Sequence, residues 1–197
     1  MWTNLIEFLD GIDRNLFLFL NGLNSPFFDV LMHYISYKYS WIPLYAILVA
    51  MIFMRYRWRG IHYLFSVVLL ILISDQGSVL VKDTVMRLRP CHDPLLADLV
   101  HLVRGRCGGM FGFVSSHAAN SFALATFIGL TFRKRHAWLL PSLLSWAAVK
   151  GYSRIYLGVH YPGDVLFGAL FGVLAGLFVL MIWRWVEKRV CACETGT

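Results

Sequence analysis

The sequence predicts an all-α fold: a polytopic membrane helix bundle of about five spans, preceded by interfacial amphipathic helices. Three observations predict it. Of the 197 residues, 58% are hydrophobic and only 15% are charged, where a soluble domain carries roughly a quarter charged residues. Mean hydropathy is +0.63, and apolar runs follow one another from residue 41 to residue 183. Short basic clusters flank those runs. The net charge of +7 is therefore explained by loops lying beside anionic lipid, and no nucleic acid is needed as a partner.

The elements follow in order. Leu5, Phe8, Leu9, Ile12, Leu16, Phe19, Leu20 and Leu23 recur at helical spacing, but Asn4, Glu7, Asp10, Asp13 and Arg14 interrupt them too often for a span. That pattern predicts a helix lying in the membrane surface. Asn24-Ser25-Pro26 breaks it, and residues 27–37 form a second surface piece. No basic region precedes the first apolar stretch and no small-residue cleavage site follows it, so no removable signal peptide is expected. Spans are expected at 41–54, 61–80, 117–132, 137–152 and 165–183, with a sixth if 16–23 dips into the bilayer. Several fall short of the ~20 residues a bilayer core prefers, which leaves flanking Trp, Tyr and Arg to anchor them. The whole of 1–197 reads as one membrane-embedded domain, with 1–38 as interfacial helices, 41–184 as the helix bundle and 185–197 as an inner tail. The chain shows no internal repeat and no low-complexity tract.

Three basic clusters set the orientation: Arg55, Arg57 and Arg59; Arg133, Lys134 and Arg135; and residues 184–189. Placing all three inside agrees with alternation of the five spans. The N-terminal helices, residues 82–116 and residues 153–164 then share the outer face. The last two segments hold nearly all the remaining polar chemistry.

Three clusters on that face stand out. In "KDTVMRLRP", Lys82 and Arg89 are seven residues apart, which places them on one helical stripe with Asp75 another seven back, before Pro90 stops the helix. Taken alone, such cations equally fit span ends snorkelling to water. In "GFVSSHAAN", Ser115 and Ser116 stand at a helix N-cap and His117 opens the span. Free N–H groups and the positive end of the helix dipole make an anion site there, although a capped helix with an incidental histidine reads the same. In "SRIYLGVHYPGD", His160 lies four residues before Asp164, close enough for the carboxylate to orient the imidazole and leave one nitrogen a directed lone pair. A surface salt bridge is the plainer alternative. Together the clusters supply cations, histidines and a helix N-terminus but a single well-placed carboxylate, which suits a phosphate group.

Other residues carry weaker expectations. Lys150, about one turn before Ser153, is either an accessory phosphate contact or an anchor for its span, and Asp75 is expected to pair with a cation or polar neighbour. His92, His101, Arg104 and Arg106 either touch a head group or are solvated. Cys91 and Cys107 are candidates for a disulfide if their side is oxidising, whereas Cys191 and Cys193 in the tail are expected to stay reduced.

The three clusters resemble the motifs of the type-2 phosphatidic acid phosphatase family, whose soluble relatives include vanadium-dependent haloperoxidases. The pattern K-x6-R-P matches Lys82, Arg89 and Pro90; P-S-G-H matches Val114-Ser115-Ser116-His117 with departures at Val114 and Ser116; S-R-x5-H-x3-D matches Ser153, Arg154, His160 and Asp164 in full. The resemblance covers residues 61–183. It implies an integral membrane lipid phosphatase acting through a phosphohistidine. His160 would be the nucleophile, Asp164 its orienting acid and His117 the general acid and then base. Lys82, Arg89, Ser115, Ser116 and Arg154 would bind the phosphate. It also implies no metal and no other cofactor. The partners expected are a lipid phosphate substrate and membrane lipids, with no obligate protein partner evident.

With the site on the outer, periplasmic face of the inner cell membrane, undecaprenyl diphosphate ranks first as substrate. A lipid A phosphatase ranks second, and a phosphatidic acid or phosphatidylglycerol phosphate phosphatase third. A transporter or channel would need polar residues continuing through the bilayer, and the inner halves of these spans are almost wholly apolar. A haem or metal protein would leave three cations beside a cationic metal. Haloperoxidase activity is a third alternative, suggested by kinship, which a buried lipid-facing site disfavours.

Overall fold

The structure is a computed structural model that describes residues 2–194, with side chains from 4 to 188. The side chains of Cys191 and Cys193 lie outside that set. The described residues are helical, with short 3-10 turns and one isolated antiparallel bridge between Leu88 and Phe111. Among the described residues seven α-helices run in chain order: α1 Trp2–Gly22, α2 Pro26–Ser36, α3 Ile42–Tyr56, α4 Gly60–Val85, α5 Ser116–Phe132, α6 Leu139–Tyr156 and α7 Pro162–Glu194. α3 to α7 fall where the five apolar spans are expected, and the Asn24–Pro26 break separates α1 from α2. By length and hydropathy, Lys38–Val85, which holds α3 and α4, and Pro162–Lys188 are each apolar enough to cross a membrane.

α5 is the central helix. Its Ala118, Ala119, Ala123, Ala125, Phe127 and Ile128 are buried, and it packs against α4, α6 and α7. The contact with α7 is close because both faces are small. Gly168, Gly172 and Gly176, spaced four apart, approach the Ser115, Ala119 and Ala123 carbonyl oxygens, so that a Cβ on Gly172 would sit 2.2 Å from the Ala119 oxygen. Small residues are how helices associate in a medium as apolar as their own side chains. Gly172→Leu is therefore expected to cost roughly 3 kcal/mol or more, because a backbone carbonyl cannot swing aside. Thermal unfolding in detergent should show it, with Gly11→Ala near neutral, since a Cβ at Gly11 meets nothing within 4 Å.

α1 turns its apolar stripe outward. Phe8 and Phe19 are 65% and 64% exposed, and Leu9, Ile12 and Leu16 share that face. Its polar residues point into the protein instead. Asn21, buried, donates to the Tyr156 and His101 carbonyls (2.8 and 3.0 Å) and accepts from the His101 N–H at 2.8 Å. α2 begins at Pro26 under a Ser25 cap and is held to α6 by the Tyr156 hydroxyl, which donates to Asp29 at 2.7 Å.

One expectation is corrected. α4 does not run to Pro90: it ends at Val85, where Met86 turns left-handed with φ 52°. The chain then extends and pairs with residues 110–112, Arg89 N–H to the Met110 carbonyl at 3.0 Å and Gly112 N–H to the Arg87 carbonyl at 2.8 Å. Lys82 and Arg89 therefore share no helical stripe. Lys82 stands on the last turn of α4, and Arg89 on an extended strap.

Candidate active site

The site lies at one end of the bundle, where α4 and α6 finish and α5 and α7 begin. His160 sits in the five-residue turn between α6 and α7. That turn depends on Gly158, whose φ is +78° and whose Cβ would meet Val100 at 2.7 Å and the His101 carbonyl at 2.9 Å. His160 is 1% exposed. Its Nδ1 faces Asp164 Oδ2 at 3.4 Å, and the same oxygen accepts the Tyr161 N–H at 3.0 Å. With Nδ1 turned to the acid, Nε2 is the nitrogen left to act. Burial first, then Arg154, Arg89 and Lys82, hold the His160 imidazole well below its ordinary pKa. At neutral pH the ring is neutral and its lone pair is available.

The sequence-predicted cations surround that ring. Lys82 donates to the Ser116 hydroxyl, which also accepts from Ser78 at 2.6 Å. Arg89 donates through Nε to the Phe111 carbonyl at 3.1 Å and through Nη1 to the Cys107 and Val159 carbonyls at 3.4 and 3.5 Å. A Cys91–Cys107 disulfide, Cα atoms 5.9 Å apart, joins the two arms of this loop. Arg154 donates to the Ser36 hydroxyl, while its Nε is buried without a protein partner. Ser115 occupies the N-cap of α5 but makes no side-chain capping bond. Its N–H donates to the Asp164 carbonyl at 2.9 Å, and its hydroxyl is buried and unpartnered. His117, on the first turn of α5, is within electrostatic reach of Arg154, His160, Lys150 and Arg89. Gly112 closes the floor of the site; a Cβ there would lie 2.8 Å from Asp164 Oδ2.

Two cavities share His117 and Lys38 in their walls. One, of about 500 Å³, descends between α3, α4, α5 and α6. The other, of about 310 Å³, opens past His33, Arg106 and Arg154. Among the weaker candidates, Asp75 accepts from Asn120 at 3.1 Å, His101 pairs with Asp29 at 2.9 Å, Arg104 with His33 at 3.0 Å, and His92 with the Gly108 carbonyl at 3.4 Å. Of the loop residues proposed as head-group contacts, Arg106 lines the smaller cavity.

Sequence reasoning missed a second layer behind the acid. Arg87 reaches Asp164 Oδ1 at 3.0 Å, Asp13 at 2.8 Å and Asp10 at 2.7 Å, and lies over the Tyr161 ring at 4.1 Å. Asp13 also accepts the Gly163 N–H at 2.7 Å, on the first turn of α7. Two signals were present: a third cation inside "KDTVMRLRP", and two carboxylates interrupting the apolar stripe of α1.

A neutral imidazole facing an acid, with cations around it at the end of an apolar helix bundle, fits a membrane enzyme that hydrolyses phosphate esters of lipids. The model of the PAP2 superfamily matches residues 59–190, and the chain belongs to that family. It is 43% identical over 189 residues to the lipid A 4'-phosphatase of Bacteroides thetaiotaomicron, covering 94% of this chain and 83% of that one. It is 30% identical over 167 residues to an undecaprenyl-diphosphatase of Sulfolobus acidocaldarius, covering 85% and 72%. Among solved structures, the crystal structure of Aquifex aeolicus LpxE superposes with a TM-score of 0.66 at 29% identity, covering 85% of this chain and 93% of that one.

Proposed function

We propose that the protein is a lipid A 4'-phosphatase, releasing inorganic phosphate from an acylated sugar phosphate. The 43% identity across nearly the whole chain carries this reading. Undecaprenyl diphosphate, ranked first from the sequence, has weaker support at 30%. That ranking rests on an outward-facing site, which suits any lipid phosphate of the outer leaflet and selects no head group.

In the proposed reaction His160 Nε2 attacks phosphorus, the bond from phosphorus to the lipid oxygen breaks, and His117 protonates the departing hydroxyl. Asp164 steers His160 and balances the positive charge formed on it. Water then attacks the phosphohistidine, His117 takes its proton, the N–P bond breaks and inorganic phosphate leaves. Lys82, Arg89, Arg154, the hydroxyl of Ser115 and the N–H of Ser116 hold the phosphoryl oxygens as charge spreads over them. The incoming phosphate brings negative charge among the cations beside His117. No step needs a metal.

We place 1–197 in the membrane as one phosphatase domain, with five spans and with α1 and α2 at the interface. The site faces the periplasmic side of the inner membrane. The basic residues support this: Arg55, Arg57 and Arg59 lie beside Glu187, and Arg55 also beside Arg135, at the end of the bundle opposite His160.

The test is phosphate release by purified protein in detergent, with chelator present, across lipid A, undecaprenyl diphosphate and phosphatidylglycerol phosphate. The expected result is a kcat/KM for lipid A at least about tenfold above the others and no effect of chelator. A preference for the prenyl diphosphate would replace the substrate reading. Loss of rate with chelator would end the metal-free mechanism.

A further inference from the structure

The larger cavity is polar where it meets the site and apolar below. His117, Asn120, Leu124 and Ile128 descend one face of α5, about 16 Å from first to last at 1.5 Å per residue. Facing them from α6 is Lys150, 6% exposed and part of the cavity wall. Its ammonium stands 3.5 Å from the Tyr45 hydroxyl and 5.2 Å from the centre of the Trp146 ring. Among the described residues no carboxylate forms an ion pair with it. Asp75, the carboxylate in the same wall, is held instead by Asn120 at 3.1 Å.

An ammonium has three donors, and a buried charge left so thinly matched is costly. The cost is offset if ligand oxygens complete the set. Lys150 is placed for that. It lies one helical turn, about 6 Å along the axis, from Arg154. A lipid whose phosphate sits between Arg154 and His160 and whose tail follows the cavity puts its next atoms beside Lys150.

We propose that Lys150 is a specificity-determining residue that binds oxygen atoms carried on the group directly attached to the scissile phosphate, here the hydroxyl and acyl carbonyl oxygens of an acylated sugar. A prenyl monophosphate presents only hydrocarbon at that place. A prenyl diphosphate presents its second phosphate there, which is the same acceptor chemistry from another source. The assignment of the sugar rests on the lipid A reading; the assignment of Lys150 to oxygen acceptors does not.

The experiment compares the protein with its Lys150→Met and Lys150→Arg variants on three probes: lipid A, farnesyl diphosphate and farnesyl monophosphate. For Lys150→Met, kcat/KM on lipid A should fall at least about tenfold, mainly through KM, with a loss below about threefold on farnesyl monophosphate. Lys150→Arg should keep most of the lipid A rate, which separates the charge from the packing. Equal losses on lipid A and farnesyl monophosphate would overturn the proposal, and so would no loss on either, or an inactive Met variant that the Arg variant fails to match with recovery. Should the unaltered protein prefer farnesyl diphosphate to lipid A, the lipid A reading falls. The Lys150 assignment is then decided by whether Lys150→Met lowers the diphosphate rate more than the monophosphate rate.

Discussion

His160→Ala is expected to lower phosphate release by at least about 10⁴-fold, to the background of the assay. The unaltered protein, quenched in alkaline detergent during turnover of a lipid labelled in its phosphate, is expected to carry label that is stable in alkali and lost in acid, as a phosphorylated imidazole is. The expectation follows from the turn between α6 and α7. His160 Nδ1 faces Asp164, burial and then three cations oppose protonation of the ring, and Nε2 is left to reach phosphorus. Asp164→Asn keeps the ring in place but weakens its steering, so a slow remnant should survive there and be absent in His160→Ala. Label retained by His160→Ala would move the nucleophile elsewhere.

Arg87→Met is expected to have the second largest effect. Asp164 is fully buried, and Arg87 is its cation at 3.0 Å. Removing one member of a buried pair costs about 3–5 kcal/mol because the other charge is left uncompensated. The Asp164 carboxylate would lose the partner that fixes its Oδ1, and with it the orientation of His160. We expect kcat to fall by about a hundredfold or more, with KM little changed, since Arg87 acts on the acid and not on the substrate. Arg87→Lys should recover only part of the rate. An ammonium cannot span Asp10, Asp13 and Asp164 as the planar guanidinium does. A parallel measurement of thermal stability separates the two roles: stability lost with kcat preserved in the surviving folded fraction would make Arg87 merely structural.

The fold was largely legible because hydrophobic runs of the right length admit few alternatives in a membrane. The break at Asn24-Ser25-Pro26 and the positions of α3 to α7 follow from composition and spacing alone. The third motif was legible for a local reason: His160 lies four positions before Asp164, and the first turn of α7 makes that separation a contact. The first motif misled because a spacing of seven says nothing about the conformation between its ends. Met86 turns left-handed without a glycine to announce it, and the strap beyond is set by pairing with residues 110–112. Arg87 was missed for a different reason. Its α1 partners Asp13 and Asp10 are 74 and 77 positions away, and the docking of α1 brings them to it. The glycines at 168, 172 and 176 were present as a spacing, but spacing does not reveal which neighbour their missing side chains admit.

The sharing of His117 by two cavities gives the chemistry a boundary between oil and water. On the proposed reading, each product would have its own way out. The dephosphorylated lipid would retreat along the larger cavity, and the free phosphate would leave through the smaller one past Arg106. Neither would have to wait for the other.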